Sequence, residues 1–521
     1  MPGSLVSLEQ DGENEGERRM KNRILTLLAL LAMITVTAAC GERPTPTAPL
    51  PEQPAGSLKT LHGEPVSIPE LEAFISQTMK EGGVTGLSCA IINDSEIVYR
   101  KAFGFKDAEA GTKNDEETIF AAASFSKPVF AYLVMLLAEE GVIDLDKPLY
   151  EYLDKPLPEY PDYADLKGDD RYRQITARMA LSHSIGFPNW RFLTEDGRLS
   201  FMFPPGTRFS YSGEGIVLLQ MVVEEITGRN LEELAQERIF EPLGMTRTSY
   251  VWQEAYDDNF ALPHDEFERP RRLNRRKEAD AAGSMMTTAG DYARLLVAIL
   301  NAEGERKATI DEMLKPQIAI TSRNMFGPDA WQDAGENRDI HLSWGLGWGR
   351  FDTAHGRALF HTGHDFGWQN YTVTYADKGI GIILLSNSDN FEGVAREIVA
   401  KTIGDNHSPF DWLGYVPFDP SRKKVPPPEP VAVEVDPAIL ETYVGVYELT
   451  SGDMIPINIE GESLFVGSGE VWEPLYAESE TQFFTEVDDT RFTFVKDATG
   501  QVTGLSLSIQ GLELTQAKKV E

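Results

Sequence analysis

The sequence predicts an α+β fold in which strands from both ends of one domain form a sheet and a lobe of helices is inserted between them. Two strands come early, Leu87–Ile92 and Glu96–Phe105, joined by the turn-forming pair Asn93-Asp94. Three more come late, Ala358–Thr362, Gln369–Tyr375 and Gly379–Ser386. The stretches between these strands carry helical patterns, so this order favours an antiparallel sheet flanked by helices, with a further all-α lobe inserted between the two groups of strands.

The N-terminal residues predict export and lipid anchoring. Basic residues at 18–23 precede an apolar run, Ile24–Val36, which is too short to cross a bilayer comfortably. The run ends in Thr37-Ala-Ala-Cys40, which resembles the bacterial lipobox, so we expect lipidation of Cys40 and a signal peptide over 1–39. A simple signal peptide cut nearby is the alternative, and Met20 is an alternative start. Residues 40–68 are rich in Pro, Thr, Ala and Gly and predict a tether at the membrane.

Residues 69–410 form one predicted domain, with helical patterns between its two groups of strands. Glycine, proline or a capping residue delimits most of the expected helices, and residues 320–343 read as a surface insertion. The expected helices lie near Ile68–Met79, Val129–Ala138, Ile175–Pro188, Ile216–Thr227, Leu231–Ile239 and Val394–Ile403, and Ala281–Leu296 predicts a glycine loop that caps a further helix.

Two further segments follow this domain. Residues 411–437 are rich in proline, which predicts a stiff linker. Residues 438–521 alternate apolar and polar residues in short runs separated by glycines, which predicts a small antiparallel sheet or barrel. The expected strands are Tyr443–Glu448, Ile455–Glu460, Ser463–Val466, Gln482–Thr485, Arg491–Lys496 and Val502–Leu507.

Charge and cysteine content exclude some classes of function. The chain has 48 basic and 82 acidic residues, a net charge of −34, which argues against nucleic acid as a partner. With Cys40 and Cys89 as the only cysteines, an exported protein whose Cys40 is lipidated has no disulfide to form. The composition gives no indication of oligomeric state.

The motif Ser124-Phe-Ser-Lys127 lies directly before the apolar run Val129–Ala138, which predicts a buried helix. Three residues are just under one helical turn, so Ser124 and Lys127 share a face. A serine hydroxyl needs a base to become a nucleophile, and a neutral lysine can be that base. Neutrality near pH 7 requires the lysine pKa to fall by about 3 units, which burial favours. The alternative is an ordinary helix start with a capping serine and a solvated lysine.

Several motifs, taken in order, resemble the serine β-lactamase and penicillin-binding-protein superfamily. They are Ser124-Phe-Ser-Lys127, then Phe209-Ser-Tyr211-Ser-Gly213, then His361-Thr362-Gly363, with Leu181–Gly186 and Ala281–Gly283 similar to structural landmarks. The likeness covers about residues 69–405 and is nearest to the branch of class C β-lactamases, family VIII esterases, D,D-peptidases and D-aminopeptidases. It implies the two-lobed β-lactamase/transpeptidase-like fold.

The resemblance also implies catalytic roles. Ser124 would attack a carbonyl carbon and form an acyl-enzyme. Lys127 and Tyr211 would pass the serine proton to the leaving group and then activate water. A tyrosine, with a reference pKa of about 10, serves as a base only beside a cation such as Lys127.

The third motif supplies the substrate-binding residues that the resemblance implies. The oxyanion would lie between the backbone N–H groups of Ser124 and His364, and Gly363 would let the backbone approach closely. His361 and Thr362 would line the substrate side of the strand. No cofactor or metal is expected, because His361 and His364 are three residues apart on a strand and face opposite sides.

Two positions depart from the family pattern. Gly213 stands where the second motif has an asparagine that donates to the substrate amide, and His361 stands where the third motif often has a lysine. Both departures favour an esterase or peptidase over an efficient β-lactamase. A D,D-carboxypeptidase, a D-aminopeptidase and a weak β-lactamase remain as alternatives, and a non-catalytic cell-wall or ligand-binding protein is the alternative of another class.

Overall fold

The computed structural model describes residues 56–421, 431–449, 454–461, 463–468, 471–485, 490–509 and 512–520. The predicted export signal, Cys40, most of the tether and the densest run of linker prolines lie outside these residues. No helix within the described ranges combines the length and apolar character needed to cross a bilayer.

The central sheet of the first domain has nine strands in the order β5-β4-β3-β13-β12-β11-β10-β9-β8. Every neighbouring pair is antiparallel. Early strands therefore pair with late ones through β3 and β13, which confirms the predicted sheet. Its strands are β3 Gly86–Asn93, β4 Glu96–Asp107, β5 Thr112–Lys113, β8 Ile318–Ala319, β9 Ser343–Trp344, β10 Gly349–Thr353, β11 Gly356–Asp365, β12 Trp368–Tyr375 and β13 Ile380–Ser386. Two small two-stranded sheets pair β1 Ser57–Lys59 with β2 Pro65–Ser67 and β6 Phe120–Ala121 with β7 Met286–Thr287.

The helical lobe is inserted between β5 and β8, as predicted. The α-helices of the domain are α1 Ile68–Gly82, α2 Ser126–Glu139, α3 Ala177–Leu181, α4 Gly213–Thr227, α5 Leu231–Ala235, α6 Glu241–Leu243, α7 Ala289–Leu300, α8 Gly304–Met313, α9 Glu392–Ile403 and α10 Phe410–Leu413. A π turn at Gln236–Phe240 continues α5. Short 3-10 helices lie at Ala123–Phe125, Leu149–Tyr152, Leu157–Glu159, Pro161–Leu166, Asp170–Gln174, Arg191–Leu193, Glu254–Tyr256 and Pro328–Trp331.

Both faces of the sheet are covered. All eight residues of β3 are buried, and successive side chains belong to different cores. Ala90 and Ile92 join the core shared with the helical lobe, whereas Cys89 and Ile91 join the core under α1 and α9. Because side chains alternate along a strand, this pattern requires apolar layers on both sides.

The first domain is longer at both ends than the sequence predicted. Leu58 and Leu61 are buried, and the N–H of Leu61 donates to the carbonyl of Ile403 at 2.8 Å, so residues 57–67 belong to the domain rather than to the tether. At the other end, Trp412 and Tyr415 are buried, so the first residues of the predicted linker also pack on the domain. In each case, a small group of large apolar residues anchors a stretch whose overall composition is that of a linker.

Two local expectations need correction, and some elements were not predicted. The helix expected over Ile175–Pro188 covers only Ala177–Leu181, because His183 and Gly186 adopt positive φ angles of 52° and 97°, which end the helix. The helix expected to reach Ile239 changes to the π turn after Ala235. Strands β9 and β10, which flank a glycine-rich turn, and helix α8 were not predicted.

The C-terminal residues form a closed eight-stranded antiparallel barrel, which confirms a small β domain. A helix, α11 Pro437–Tyr443, precedes it. Tyr443 stacks on Phe494 in the barrel core with ring centroids 4.0 Å apart. The strands are β14 Gly445–Leu449, β15 Met454–Glu460, β16 Ser463–Ser468, β17 Val471–Ala477, β18 Gln482–Phe484, β19 Thr490–Lys496, β20 Val502–Ile509 and β21 Leu512–Lys519. An ion pair joins Arg272 of the first domain to Glu473 of the barrel.

Candidate active site

Ser124 lies in a tight turn between β6 and α2. The turn is the 3-10 helix Ala123–Phe125, and Ala123 adopts a φ of 47°, which an L-residue reaches at some energetic cost. Ala123 and Phe125 are buried, whereas Ser124 is partly exposed. The turn thus holds the backbone inside the core and leaves one hydroxyl group accessible.

Lys127 lies one turn along α2, and its amine reaches the serine. Its Nζ lies 2.9 Å from Ser124 Oγ and 2.6 Å from the carbonyl oxygen of Ala282. The side chain is buried, and burial lowers the lysine pKa to about 7, against a smaller opposing effect of the Asp280 charge. Near neutral pH a large fraction of Lys127 is therefore uncharged and able to accept a proton. The sequence identifies the segment around Ala281 as a motif, but it does not predict that the Ala282 carbonyl accepts a hydrogen bond from Lys127.

Tyr211 completes the predicted triad beside the lysine. Lys127 Nζ lies 4.9 Å from the centre of the Tyr211 ring. The His183 ring also packs against Tyr211, with the two ring centroids 4.2 Å apart. Burial raises the pKa of Tyr211, and a weaker interaction with Ser124 opposes that rise. A phenol in this state keeps its proton near neutral pH. The geometry and these pKa shifts therefore favour Lys127 over Tyr211 as the first base.

Strand β11 presents an open edge next to the turn at Ala123–Phe125, which carries Ser124 and is called the nucleophile turn below. Its pairing with β10 stops at Phe360, opposite Gly349, so β10 leaves the edge from 361 onward uncovered. A Cβ on Gly363 would lie 2.6 Å from the carbonyl oxygen of Ala122, so only glycine allows this approach. Asn370 on β12 donates to the same carbonyl at 3.2 Å and ties the sheet to the turn.

His361 is a neutral group in this site. It is fully buried, and burial together with the nearby Lys127 lowers its pKa to about 3. Its Nδ1 lies 2.7 Å from the carbonyl oxygen of Thr362, which favours a proton on Nδ1 and leaves Nε2 as an acceptor. His361 therefore offers no positive charge to a substrate carboxylate.

The side chains of Thr362 and His364 lie on the face of the sheet opposite His361. Thr362 Oγ1 bonds to Tyr415 Oη at 2.6 Å, and His364 Nδ1 lies 2.9 Å from Glu392 Oε1. The expectation that the Thr362 side chain lines the substrate side is thus wrong, because alternate residues of a strand face opposite ways. Both residues can contribute to the site through their backbone groups. Glu392 raises the pKa of His364, against the opposing effect of burial.

A tryptophan fills the space beside Gly213. A Cβ on Gly213 would lie 2.5 Å from Cζ2 and 2.6 Å from Cη2 of Trp190. No side chain fits at 213 while the indole ring is there. Sequence reasoning identified the missing asparagine but not the aromatic group that occupies its place, because 23 positions separate the two residues and neither motif nor periodicity links them.

Comparison with known proteins identifies the family. The family model described as Beta-lactamase matches residues 71–402, well over half of the chain. The chain belongs to the β-lactamase family. As a member of this family, it is a serine hydrolase, which agrees with the Ser124–Lys127 pair. A second model, Domain of unknown function (DUF3471), matches residues 429–519, the region of the barrel.

Two curated proteins and one solved structure illustrate what the chain is similar to. Penicillin-binding protein 4* of Bacillus subtilis is 25% identical over 444 residues, covering 77% of this chain and 89% of that protein. Esterase EstB of Burkholderia gladioli is 27% identical over 312 residues, covering 54% of this chain and 77% of the esterase. The octameric penicillin-binding protein homologue from Pyrococcus abyssi shares the fold, with a TM-score of 0.53 and 22% identity over 87% of this chain and all of that one.

Proposed function

We propose that this protein is an esterase that hydrolyses its substrates through an acyl-enzyme on Ser124. The observation that carries the proposal is the Trp190 ring beside Gly213. The ring takes the place of a hydrogen-bond donor that would recognise an amide, and the Ser124–Lys127 pair needed for acyl transfer remains.

The geometry suggests an order of proton transfers. Neutral Lys127 takes the proton from Ser124 Oγ as that oxygen attacks the ester carbonyl carbon. The oxyanion then accepts hydrogen bonds from backbone N–H groups of the nucleophile turn and of the open β11 edge. The proton passes through Lys127 and Tyr211 to the departing alcohol. Water next attacks the acyl-enzyme and Lys127 takes its proton. Lys127 then returns that proton to Ser124 Oγ as the bond to the acyl group breaks and the acid leaves.

Two features of this site favour esters over β-lactams and peptides. An ester has a better leaving group than an amide, so it loses less from the missing donor at Gly213. A missing hydrogen bond is worth about 0.5–1.5 kcal/mol. Many β-lactams and peptides also carry a carboxylate, which a neutral His361 does not attract. Together these effects reduce acylation by β-lactams by roughly one to two orders of magnitude.

The relatives point to two competing activities within the family. EstB supports ester hydrolysis, whereas the D-aminopeptidase of Brucella anthropi, 27% identical over 64% of this chain, supports a peptidase. The His361 and Gly213 positions favour the first activity.

A panel of three substrate classes tests the proposal. We would measure kcat/KM for short-chain methyl esters, a D-alanyl-D-alanine peptide and a chromogenic cephalosporin, and divide each by its rate of hydrolysis by hydroxide. The division removes intrinsic reactivity, so the ratio reports what the site contributes. We expect the ratio to be at least about tenfold higher for esters, with no turnover by Ser124→Ala. A cephalosporin ratio equal to or above that of the esters would rule out the esterase assignment.

We also propose that a lipid on Cys40 holds the enzyme at a membrane surface. The lipobox-like residues 37–40 and the apolar run before them support this proposal. The residues between Cys40 and β1 would then act as a spacer between the lipid and the hydrolase domain.

A further inference from the structure

Two aromatic rings form a stacked pair next to the second motif. The rings of Trp190 and Phe192 are 6.0 Å apart at an interplanar angle of 11°. Trp190 covers Gly213, while Phe192 extends outward with 57% of its surface exposed. Phe192 therefore presents an exposed aromatic ring beside the Trp190–Gly213 contact.

The segment that carries the pair is fixed to the start of helix α4. The carbonyl of Asn189 accepts hydrogen bonds from the N–H groups of Gly213 at 3.0 Å and Glu214 at 3.1 Å. Arg191 then binds the buried Glu214 carboxylate through two nitrogens, with Nε 2.9 Å from Oε1 and Nη2 2.6 Å from Oε2. Such a two-pronged, partly buried contact is strong and directional. It holds the residue between Asn189 and Arg191, which is Trp190, in one position.

A second exposed aromatic residue contacts the other end of the same motif. Phe326, from the segment between β8 and β9, packs edge-on against Tyr211 with centroids 5.6 Å apart and is 46% exposed. Tyr211 and Gly213 are two residues apart in one loop. The loop that carries the proton-relaying tyrosine is therefore bordered by aromatic surface from two separate parts of the chain.

We propose that Trp190 and Phe192 form a binding subsite for an aromatic ring of the ester substrate. This inference rests on the proposed esterase function and names its substrate class as aryl-bearing esters. A fixed indole ring loses little conformational entropy when a ligand binds. Offset or edge-to-face aromatic contacts add about 0.5–1.5 kcal/mol to the free energy gained by burial alone. If this energy is realised in the transition state, it corresponds to a factor of about 2 to 12 in kcat/KM. The aromatic ring of the substrate would then contact the indole ring that occupies the place of an amide-binding side chain at position 213.

Matched ester pairs test the subsite. In the first pair the acyl part differs, methyl phenylacetate against methyl cyclohexylacetate. In the second pair the alcohol differs, benzyl acetate against cyclohexylmethyl acetate. The members of each pair are similar in size and differ in aromaticity, and release of acid is followed with a pH indicator because nitrophenyl leaving groups are themselves aromatic. We expect the wild-type enzyme to prefer the aromatic member by about tenfold in at least one pair.

Variants then connect the preference to the two residues. In Trp190→Ala and Phe192→Ala the aromatic preference should fall towards one, and Trp190→Phe should retain part of it. Phe192→Ala removes an exposed side chain, so it keeps the test open if Trp190→Ala fails to fold. Trp472→Ala is the control, because Trp472 is 46% exposed on barrel strand β17 and should not alter the preference.

The outcomes separate this inference from the esterase proposal. Titration with a fluorophosphonate counts the competent Ser124 groups in each preparation, so loss of folding is not mistaken for loss of preference. Ester turnover without any aromatic preference, or a preference unchanged in both alanine variants, would overturn the subsite and leave the esterase intact. Labelled Ser124 without ester turnover would instead overturn the proposed function.

Discussion

Nζ of Lys127 lies 2.9 Å from Oγ of Ser124, and burial lowers the lysine pKa to about 7. If neutral Lys127 is the base, kcat/KM for an ester should rise about tenfold per pH unit below pH 7 and level off above it. The sign follows because deprotonation creates the active form. A pH–rate profile of methyl ester hydrolysis measures this, and a limb centred near pH 5 would assign the base to another group.

Asp280 provides the matched control for that profile. Its charge raises the pKa of Lys127, and its Oδ1 accepts a hydrogen bond from the N–H of Ala282 at 2.7 Å. Asp280→Asn keeps an acceptor oxygen while removing the charge. The acid limb should therefore move to lower pH in this variant, and a limb that stays in place would show that the charge does not reach the lysine.

The sequence was most informative where local pattern determines structure. Ser124 and Lys127 are one turn apart, so a four-residue motif sufficed to predict that their side chains meet. The largely apolar run Leu87–Ile92 beside the turn-forming pair Asn93-Asp94 likewise predicted β3, whose two faces are both buried. In both cases the information lies within one element of the chain.

The sequence was least informative where distant segments meet. Trp190 reaches Gly213 only because Asn189 and Arg191 are bound to the start of helix α4, and no periodicity predicts that contact. The packing at both ends of the first domain was missed for a similar reason. Leu58 and Trp412 belong to small groups of buried residues in stretches of linker-like composition, and their burial depends on surfaces formed elsewhere.

Lys127 and Tyr211 should act as one unit in catalysis. Each of Lys127→Ala and Tyr211→Phe should lower kcat by about 10²–10⁴, as expected for groups that transfer protons. The double variant should have a kcat only slightly below that of the less active single variant, because both replacements interrupt the same proton path. Single-turnover acylation rates measure these losses, and Ser124→Ala should abolish fluorophosphonate labelling. Small losses that add would assign packing roles to both residues.

Burial of Lys127 should also appear in the pH dependence of stability. Folding lowers its pKa from the usual 10.5 to about 7, so between these values the unfolded chain holds more protons than the folded one. The free energy of unfolding contributed by this group therefore rises with pH, by about 2–3 kcal/mol between pH 7 and 9. Lys127→Met lacks that term and should be the more stable protein at pH 6, with an advantage that shrinks towards pH 9. Urea unfolding of both proteins at the two pH values measures it, and parallel curves would contradict a buried titrating lysine.

Cys40 should determine membrane association. In a bacterial host, Cys40→Ser should either release the protein from the membrane fraction or block processing of its precursor, because the lipid has no other proposed attachment point. Fractionation and metabolic labelling with a fatty acid measure the two effects. Unchanged membrane association without label would support a simple signal peptide and another means of attachment.

The Trp190–Gly213 contact leads to a prediction about substrate class. Gly213→Asn alone should destabilise the protein, because its Cβ would lie 2.5 Å from the indole ring. Trp190→Ala combined with Gly213→Asn opens the space and restores an amide donor. We expect this double variant to raise amide or cephalosporin turnover relative to methyl ester turnover by up to about tenfold, the value of one hydrogen bond.

Trp190→Ala alone is the control for that comparison, because it opens the same space without adding a donor. If the two variants have the same amide-to-ester ratio, the donor at 213 has no effect and the selectivity has another origin. If the ratio rises only in the double variant, the indole ring and the glycine are a matched pair, since glycine is the residue that leaves room for tryptophan there. Selection for amide chemistry would then have to change both residues at once, because either change alone produces a clash or a cavity.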